Sequence, residues 1–96
     1  MLLNRGELDG KRVLKAKTVD LMFENHLQKI GKVYGLGGKV DSKGGYSWGG
    51  AAGTKFWIDT HNDCYAVFMI QARGYKAPTY RIFRKHVDKA ILPEKE

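Results

Sequence analysis

Apolar residues follow two different spacings along this chain. Over residues 15–30, Val19, Met22, Phe23, Leu27 and Ile30 recur three and four positions apart, the period of an amphipathic helix with one face toward a core. Gly31 stands where a C-terminal cap belongs, and Lys29 lies beside the negative end of the helix dipole. Over residues 33–40, Tyr34, Leu36, Gly38 and Val40 alternate with Val33, Gly35, Gly37 and Lys39, which predicts a glycine-rich strand. Residues 41–45 make a turn, and residues 46–59 then run as a second strand, bulged at its glycines. After a turn at residues 60–63, the nearly continuous apolar run 64–70 suits a central strand covered on both faces.

A connector at residues 73–78 leads to a last helix. Thr79 is its predicted N-cap, Tyr80, Phe83, Val87, Ala90 and Ile91 form its apolar face, and Pro93 ends it. Arg81, Arg84, Lys85 and Lys89 fall on its solvated side. Before residue 15, Gly6 and Gly10 mark turns around Glu7-Leu8-Asp9, and Leu2-Leu3 reads as the end of a preceding element. The expected architecture is α+β: a three-stranded antiparallel sheet flanked by an N-terminal and a C-terminal helix, with residues 1–96 as a single domain.

Composition narrows the function classes. A chain of 96 residues buries only about 60–65% of its unfolded surface and is prone to lean on a partner. Its 43% hydrophobic content argues against disorder. No apolar run approaches the roughly 20 residues of a membrane span, and the N-terminus lacks the apolar segment of a signal peptide. A cytoplasmic setting is the default expectation. The single cysteine, Cys64, allows no internal disulfide or cysteine metal cluster and reads as a small buried thiol. A formal charge of +7 favours acidic partners. The cations are nevertheless interleaved with Glu7, Asp9, Asp20, Glu24 and Asp88, with no basic run flanked by aromatics, which disfavours nucleic acid.

The densest candidate chemistry lies between Tyr46 and Asp59, where Trp48 and Trp57 bracket Gly49-Gly50-Ala51-Ala52-Gly53. Small residues beside large aromatics suggest the wall of a binding cleft. Gly45-Tyr46-Ser47-Trp48-Gly49 matches the G-x-S-x-G nucleophile elbow, but that motif needs a strand before it and a helix after it. Here a glycine turn precedes and a strand follows, so Ser47 is not read as a nucleophile. Gly35-Leu36-Gly37-Gly38 opens no helix and is no dinucleotide fingerprint; its glycines let a neighbouring element pack closely. His61, Asp63 and Cys64 fall in a turn, and His26 and His86 on different helices. No metal or cofactor is predicted.

Residues 14–27, Tyr34-Gly35-Leu36-Gly37, Trp48-Gly49-Gly50-Ala51-Ala52-Gly53-Thr54, Phe56-Trp57-Ile58-Asp59 and Ala66-Val67-Phe68-Met69-Ile70-Gln71 together carry a resemblance. In order, and over nearly the whole chain, they resemble the C-terminal part of the serine β-lactamase-like hydrolases: class C β-lactamases, penicillin-binding proteins and related esterases. The resemblance implies a partial β-lactamase-like α/β sandwich. It places Trp48, Gly49 and Gly50 at the third active-site motif lining the cleft, and gives the backbone N–H of Ala51 to an oxyanion hole. The resemblance leaves export open for a full-length relative. The catalytic half has no counterpart: Gly45 and Gly50 stand three residues after Ser42 and Ser47 where Ser-x-x-Lys needs lysine, and no tyrosine begins a Tyr-x-Asn. In that family an N-terminal segment supplies the strands beside the central one, so its removal opens an apolar edge at strand 64–71.

These readings converge on a catalytically incomplete β-lactamase-like fragment, a non-enzymatic ligand-binding or protein-interaction module. Its expected partner is a second copy, joined at the edge of strand 64–71 or by helix exchange. The alternatives are a serine hydrolase subunit completed by a separate Ser-x-x-Lys chain, and a basic nucleic-acid-binding domain.

Overall fold

The computed structural model describes residues 1–74 and 78–91. Four strands, β3 (Lys39–Val40), β4 (Gly45–Gly49), β5 (Lys55–Asp59) and β6 (Cys64–Phe68), form one sheet in the order β3-β4-β5-β6. Each is antiparallel to the next, with Tyr46 opposite Ile58 and Trp57 opposite Ala66. A separate ribbon pairs β1 (Glu7–Leu8) with β2 (Lys11–Arg12) around Asp9-Gly10. The helices are α1 (Ala16–Phe23) and α2 (Thr79–Ile91). The predicted α+β class and sequential antiparallel order are therefore present, with one more strand in the sheet than expected and an unforeseen ribbon.

The pleat distributes alternate residues to two faces. On one face Trp57, 2% exposed, meets Tyr80 at 5.9 Å and Phe83 at 5.8 Å, both from α2. On the other, Val40, Tyr46 and Ile58 pack with Met22 and Phe23 of α1 and with Leu2 and Leu3. The Tyr46 ring stacks on Phe23 at 4.7 Å, and its hydroxyl donates to the Leu36 carbonyl at 2.8 Å. The sheet is thus a middle layer, with α1 and the N-terminal turn on one side and α2 on the other. In that turn Gly6 N–H donates to Met1 O and Arg5 N–H to Leu2 O, with Arg5 left-handed. This is the bond pair that closes a helix, and it holds Leu2 and Leu3 against the core.

The structure corrects several predicted boundaries. Residues 46–59 are not one bulged strand but the β4–β5 hairpin. Gly50 N–H donates to Thr54 O at 2.9 Å and Gly53 N–H to Gly50 O at 3.0 Å. Gly53 turns the chain at φ +88°, where a Cβ would also stand 2.6 Å from Ile70 Cδ1. The helix over residues 15–30 stops at Phe23 instead. Asn25 Oδ1 accepts the N–H groups of Leu27 at 3.0 Å and Tyr34 at 3.1 Å, so a side chain takes over backbone donors that periodicity assigns to a helix. Gly31 does adopt the left-handed capping conformation, but it caps a single 3-10 turn at Gln28–Ile30.

The strand over residues 33–40 shrinks to β3 because Gly35 N–H bonds Gly38 O at 2.8 Å and closes a turn. As anticipated, these glycines admit close neighbours: the Met22 carbonyl at Gly35, and the Tyr46 ring, 2.5 Å from where a Gly38 Cβ would lie. Strand 64–70 is not central and covered on both faces. β6 is an edge strand, and Tyr65, Val67 and Met69 are exposed. Cys64 is half-buried, not fully enclosed. Thr79 opens α2 as its first helical residue, not as the N-cap. Arg84 leaves the predicted solvated face: its guanidinium lies 4.3 Å over the Trp57 ring and pairs with Asp88 at 3.3 Å. Residues 75–77 of the connector and the stop at Pro93 lie outside the described residues.

Two outcomes follow from this packing. Trp57→Ala is expected to cost about 3–5 kcal/mol, a large part of the stability of a small domain; urea denaturation followed by circular dichroism measures it. Asp59 closes the β5–β6 turn through its carboxylate, which accepts Asn62 N–H at 3.0 Å and Asn62 Nδ2 at 2.7 Å. Burial alone raises its pKa, but the hydrogen bonds from Asn62 and His61 outweigh that and hold it below the usual carboxylate value. A lowered folded-state pKa adds stability that is present above the unfolded value and lost as pH falls through the folded one. Asp59→Asn is therefore expected to flatten the loss of urea stability below about pH 4; an unchanged acid limb would refute this role.

Candidate functional site

Trp48, Gly49, Gly50 and Ala51 occupy the end of β4 and the tip of the β4–β5 hairpin. Trp48 is 52% exposed, and its ring meets only the edge of Tyr34, at 5.6 Å, among the described aromatic contacts. Gly49, Gly50 and Ala51 are exposed. Hydrogen-bond parity fixes where their backbones point. Gly45 O accepts Asp41 N–H at 3.0 Å, so Gly45, Ser47 and Gly49 turn their peptide groups toward the β3 side. Gly50 N–H turns the other way, to Thr54. β3 begins opposite Ser47, so among the described residues no strand lies on the side of β4 that the peptide groups of Gly49 face. Beside it runs an open groove of about 300 Å³ lined by Lys39, Ser47, Trp48, Lys55 and Tyr80. Lys55 Nζ stands 5.0 Å over the Tyr80 ring.

This arrangement can hold an extended polar group along an open strand, with an aromatic plate and two ammonium groups nearby. Ser47 lines this groove, with no histidine or carboxylate beside it there. Ser47 shares the α2-facing side with Trp57, whereas Trp48 shares the opposite side with Phe56. The small cavity next to Ser47, about 100 Å³, is lined by Asp41, Lys43, Trp57, Asp59 and Arg84 and by no histidine. β4 continues directly from Ser47, so the strained elbow is absent here. Ser42 lies exposed in the β3–β4 turn, where Asp41 Oδ1 accepts Lys43 N–H and Gly45 N–H, each at 2.8 Å. Burial, followed by the charge of Asp59, raises the Cys64 pKa, so the thiol and not the thiolate prevails at neutral pH. Among the described residues no three His, Cys, Asp or Glu side chains cluster as metal ligands.

A second feature escaped the residue pattern. In β6, Cys64, Ala66 and Phe68 pair with Asp59, Trp57 and Lys55. Since Thr54 O, which accepts Gly50 N–H, and Thr60 N–H, which donates to Gly44 O, point from β5's ends toward β4's side, the odd residues of β5 turn to β6. Tyr65 and Val67, with Met69 in line, therefore direct their peptide groups off the open edge. Their side chains are also exposed, at 68%, 53% and 72%. The continuous apolar run masked this because it looks the same in a buried strand and in an edge strand.

No family model matches the chain, and no curated protein matches it significantly. No helix among the described residues is long and apolar enough to cross a membrane.

The two tryptophans should report on the cleft separately. Acrylamide is expected to quench Trp48 readily and Trp57 weakly. Trp48→Phe should remove most of the accessible emission and cost less than about 1.5 kcal/mol of stability, the scale of one aromatic pair. Equal quenching of the two indoles would contradict this placement.

Proposed function

We propose that the chain is a non-catalytic interaction module: a β-lactamase-like fragment that keeps one wall of a hydrolase cleft and contacts other chains through its sheet edge. The observation that carries this reading is the state of β6. Among the described residues nothing pairs with the outward peptide groups of Tyr65 and Val67, and their side chains, with that of Met69 just after the strand, are exposed, a combination that templates strand addition. The resemblance of Trp48-Gly49-Gly50-Ala51 to the third hydrolase motif supports the cleft half of the proposal. The open side of Gly49 leaves room for a small extended ligand.

A second reading has a separate chain carrying Ser-x-x-Lys pack opposite Trp48 and complete a serine hydrolase. The unpartnered Gly49 peptide favours it. Nucleic-acid binding gains less support, because Arg84 is engaged with Trp57 and Asp88, and Arg5 with Asp20 at 2.6 Å.

Purified chain is expected to leave a chromogenic ester and a chromogenic cephalosporin at their buffer hydrolysis rates, with Ser42→Ala and Ser47→Ala changing nothing. Turnover that Ser47→Ala abolishes would overturn the proposal. Turnover appearing only on mixing with a Ser-x-x-Lys chain would establish the second reading in its place.

A further inference from the structure

We infer that the partner of the β6 edge is a second copy of this chain, paired antiparallel about a two-fold axis through Val67. The inference deepens the interaction reading above and rests on it only for β6 being a docking element. It begins from the parity of the strand. Odd positions alone direct N–H and C=O outward, so an added strand must bring its own outward residues opposite them. If two copies of β6 meet, an isologous contact makes the strands antiparallel, each residue i facing a residue j whose number is fixed by the axis. With the axis at Val67, Tyr65 faces Met69 of the second copy, Val67 faces Val67, and Met69 faces Tyr65. Every outward peptide group of the three residues then finds a partner. Moving the axis back to Ala66 brings Met69 opposite Asp63, which is left-handed at φ 52° and cannot extend the ladder, and moving it forward to Phe68 brings Tyr65 opposite Gln71, well beyond the strand.

Side chains favour the same register. All three lie on one face, so the pairing forms a row of Tyr–Met, Val–Val and Met–Tyr contacts. Thioether against aromatic ring is a favourable pair. The row borders an apolar groove of about 300 Å³ lined by Leu2, Leu3, Phe56, Tyr65 and Val67, which it would help to close. Charge at the strand ends is complementary too. Asp63 precedes β6 and Arg73 follows it, both exposed. In the antiparallel register the end of β6 next to Asp63 in one copy meets the end next to Arg73 in the other, so each end of the seam brings opposite signs together. Within the strand Cys64-Tyr65-Ala66-Val67-Phe68 there is no charge or proline to repel a copy.

Cross-linking reads the register directly. In full-length chain with Cys64→Ser, Val67→Cys is expected to form a disulfide-linked dimer under mild oxidation, because the two residues face each other across the axis. Tyr65→Cys alone should not, whereas Tyr65→Cys mixed with Met69→Cys should. Light scattering of the unmodified chain should show a dimer that Val67→Lys converts to monomer with its circular dichroism spectrum unchanged. A chain that stays monomeric at millimolar concentration, or that cross-links as readily at residue 65 as at 67, would overturn the inference. Neither result touches the hydrolysis assays, so a failed dimer and a failed non-catalytic reading are told apart.

Discussion

Two neighbouring residues of β5, Trp57 and Ile58, hold the layers of this protein together. They are consecutive in sequence, so the pleat sends one to each face, and both are buried. Trp57 receives α2 through Tyr80 and Phe83; Ile58 joins Val40 and Tyr46 under α1 and the N-terminal turn. A one-residue slip in the β4–β5 register would exchange the two faces and leave each helix against the wrong residues. The hairpin turn at Gly50–Thr54 therefore matters to more than its own strands. By fixing Trp48 opposite Phe56 it fixes which face every later residue occupies, including those of β6.

That dependence explains what the sequence made legible. Period-two alternation and turn chemistry located the strand-bearing region, the Asp41 turn and the Asp59–Asp63 turn, since Asp and Asn there serve local backbone donors. The face of α2 was readable from Tyr80, Phe83 and Val87. The hairpin inside residues 46–59 was not, because Gly49, Gly50 and Gly53 are equally compatible with a bulged strand and with a reversal. Only the φ of Gly53 and the Gly50–Thr54 bond distinguish them. The end of α1 was hidden for a different reason. Leu27 and Ile30 keep the helical period, but Asn25 diverts the backbone by hydrogen bonding to two distant N–H groups, a tertiary event that periodicity does not register.

The candidate site shows a similar division. The residue types at Trp48-Gly49-Gly50-Ala51 marked a cleft, and the structure puts them at an accessible hairpin tip beside an open strand side. Which groups stand opposite was never in the pattern, because a cleft wall is defined by what it faces. Ser47 illustrates the point. It is adjacent to Trp48 in sequence, yet strand alternation turns it to the α2 side, where Asp41, Trp57, Asp59 and Arg84 line a cavity that contains no histidine.

The two sides of the sheet are finished unequally, and this difference bears on function more than the cleft does. At the β3 side the edge strand is two residues long and carries exposed Lys39, both devices that discourage further pairing. At the β6 side the edge strand is five residues long, uncharged and apolar on its open row. A sheet protected at one edge and left receptive at the other can add a strand in only one place. The parity that buries Trp57 also decides which peptide groups of β6 are presented there. The packing of the core and the geometry of the open edge are thus one constraint, set by the register of β5 against its two neighbours.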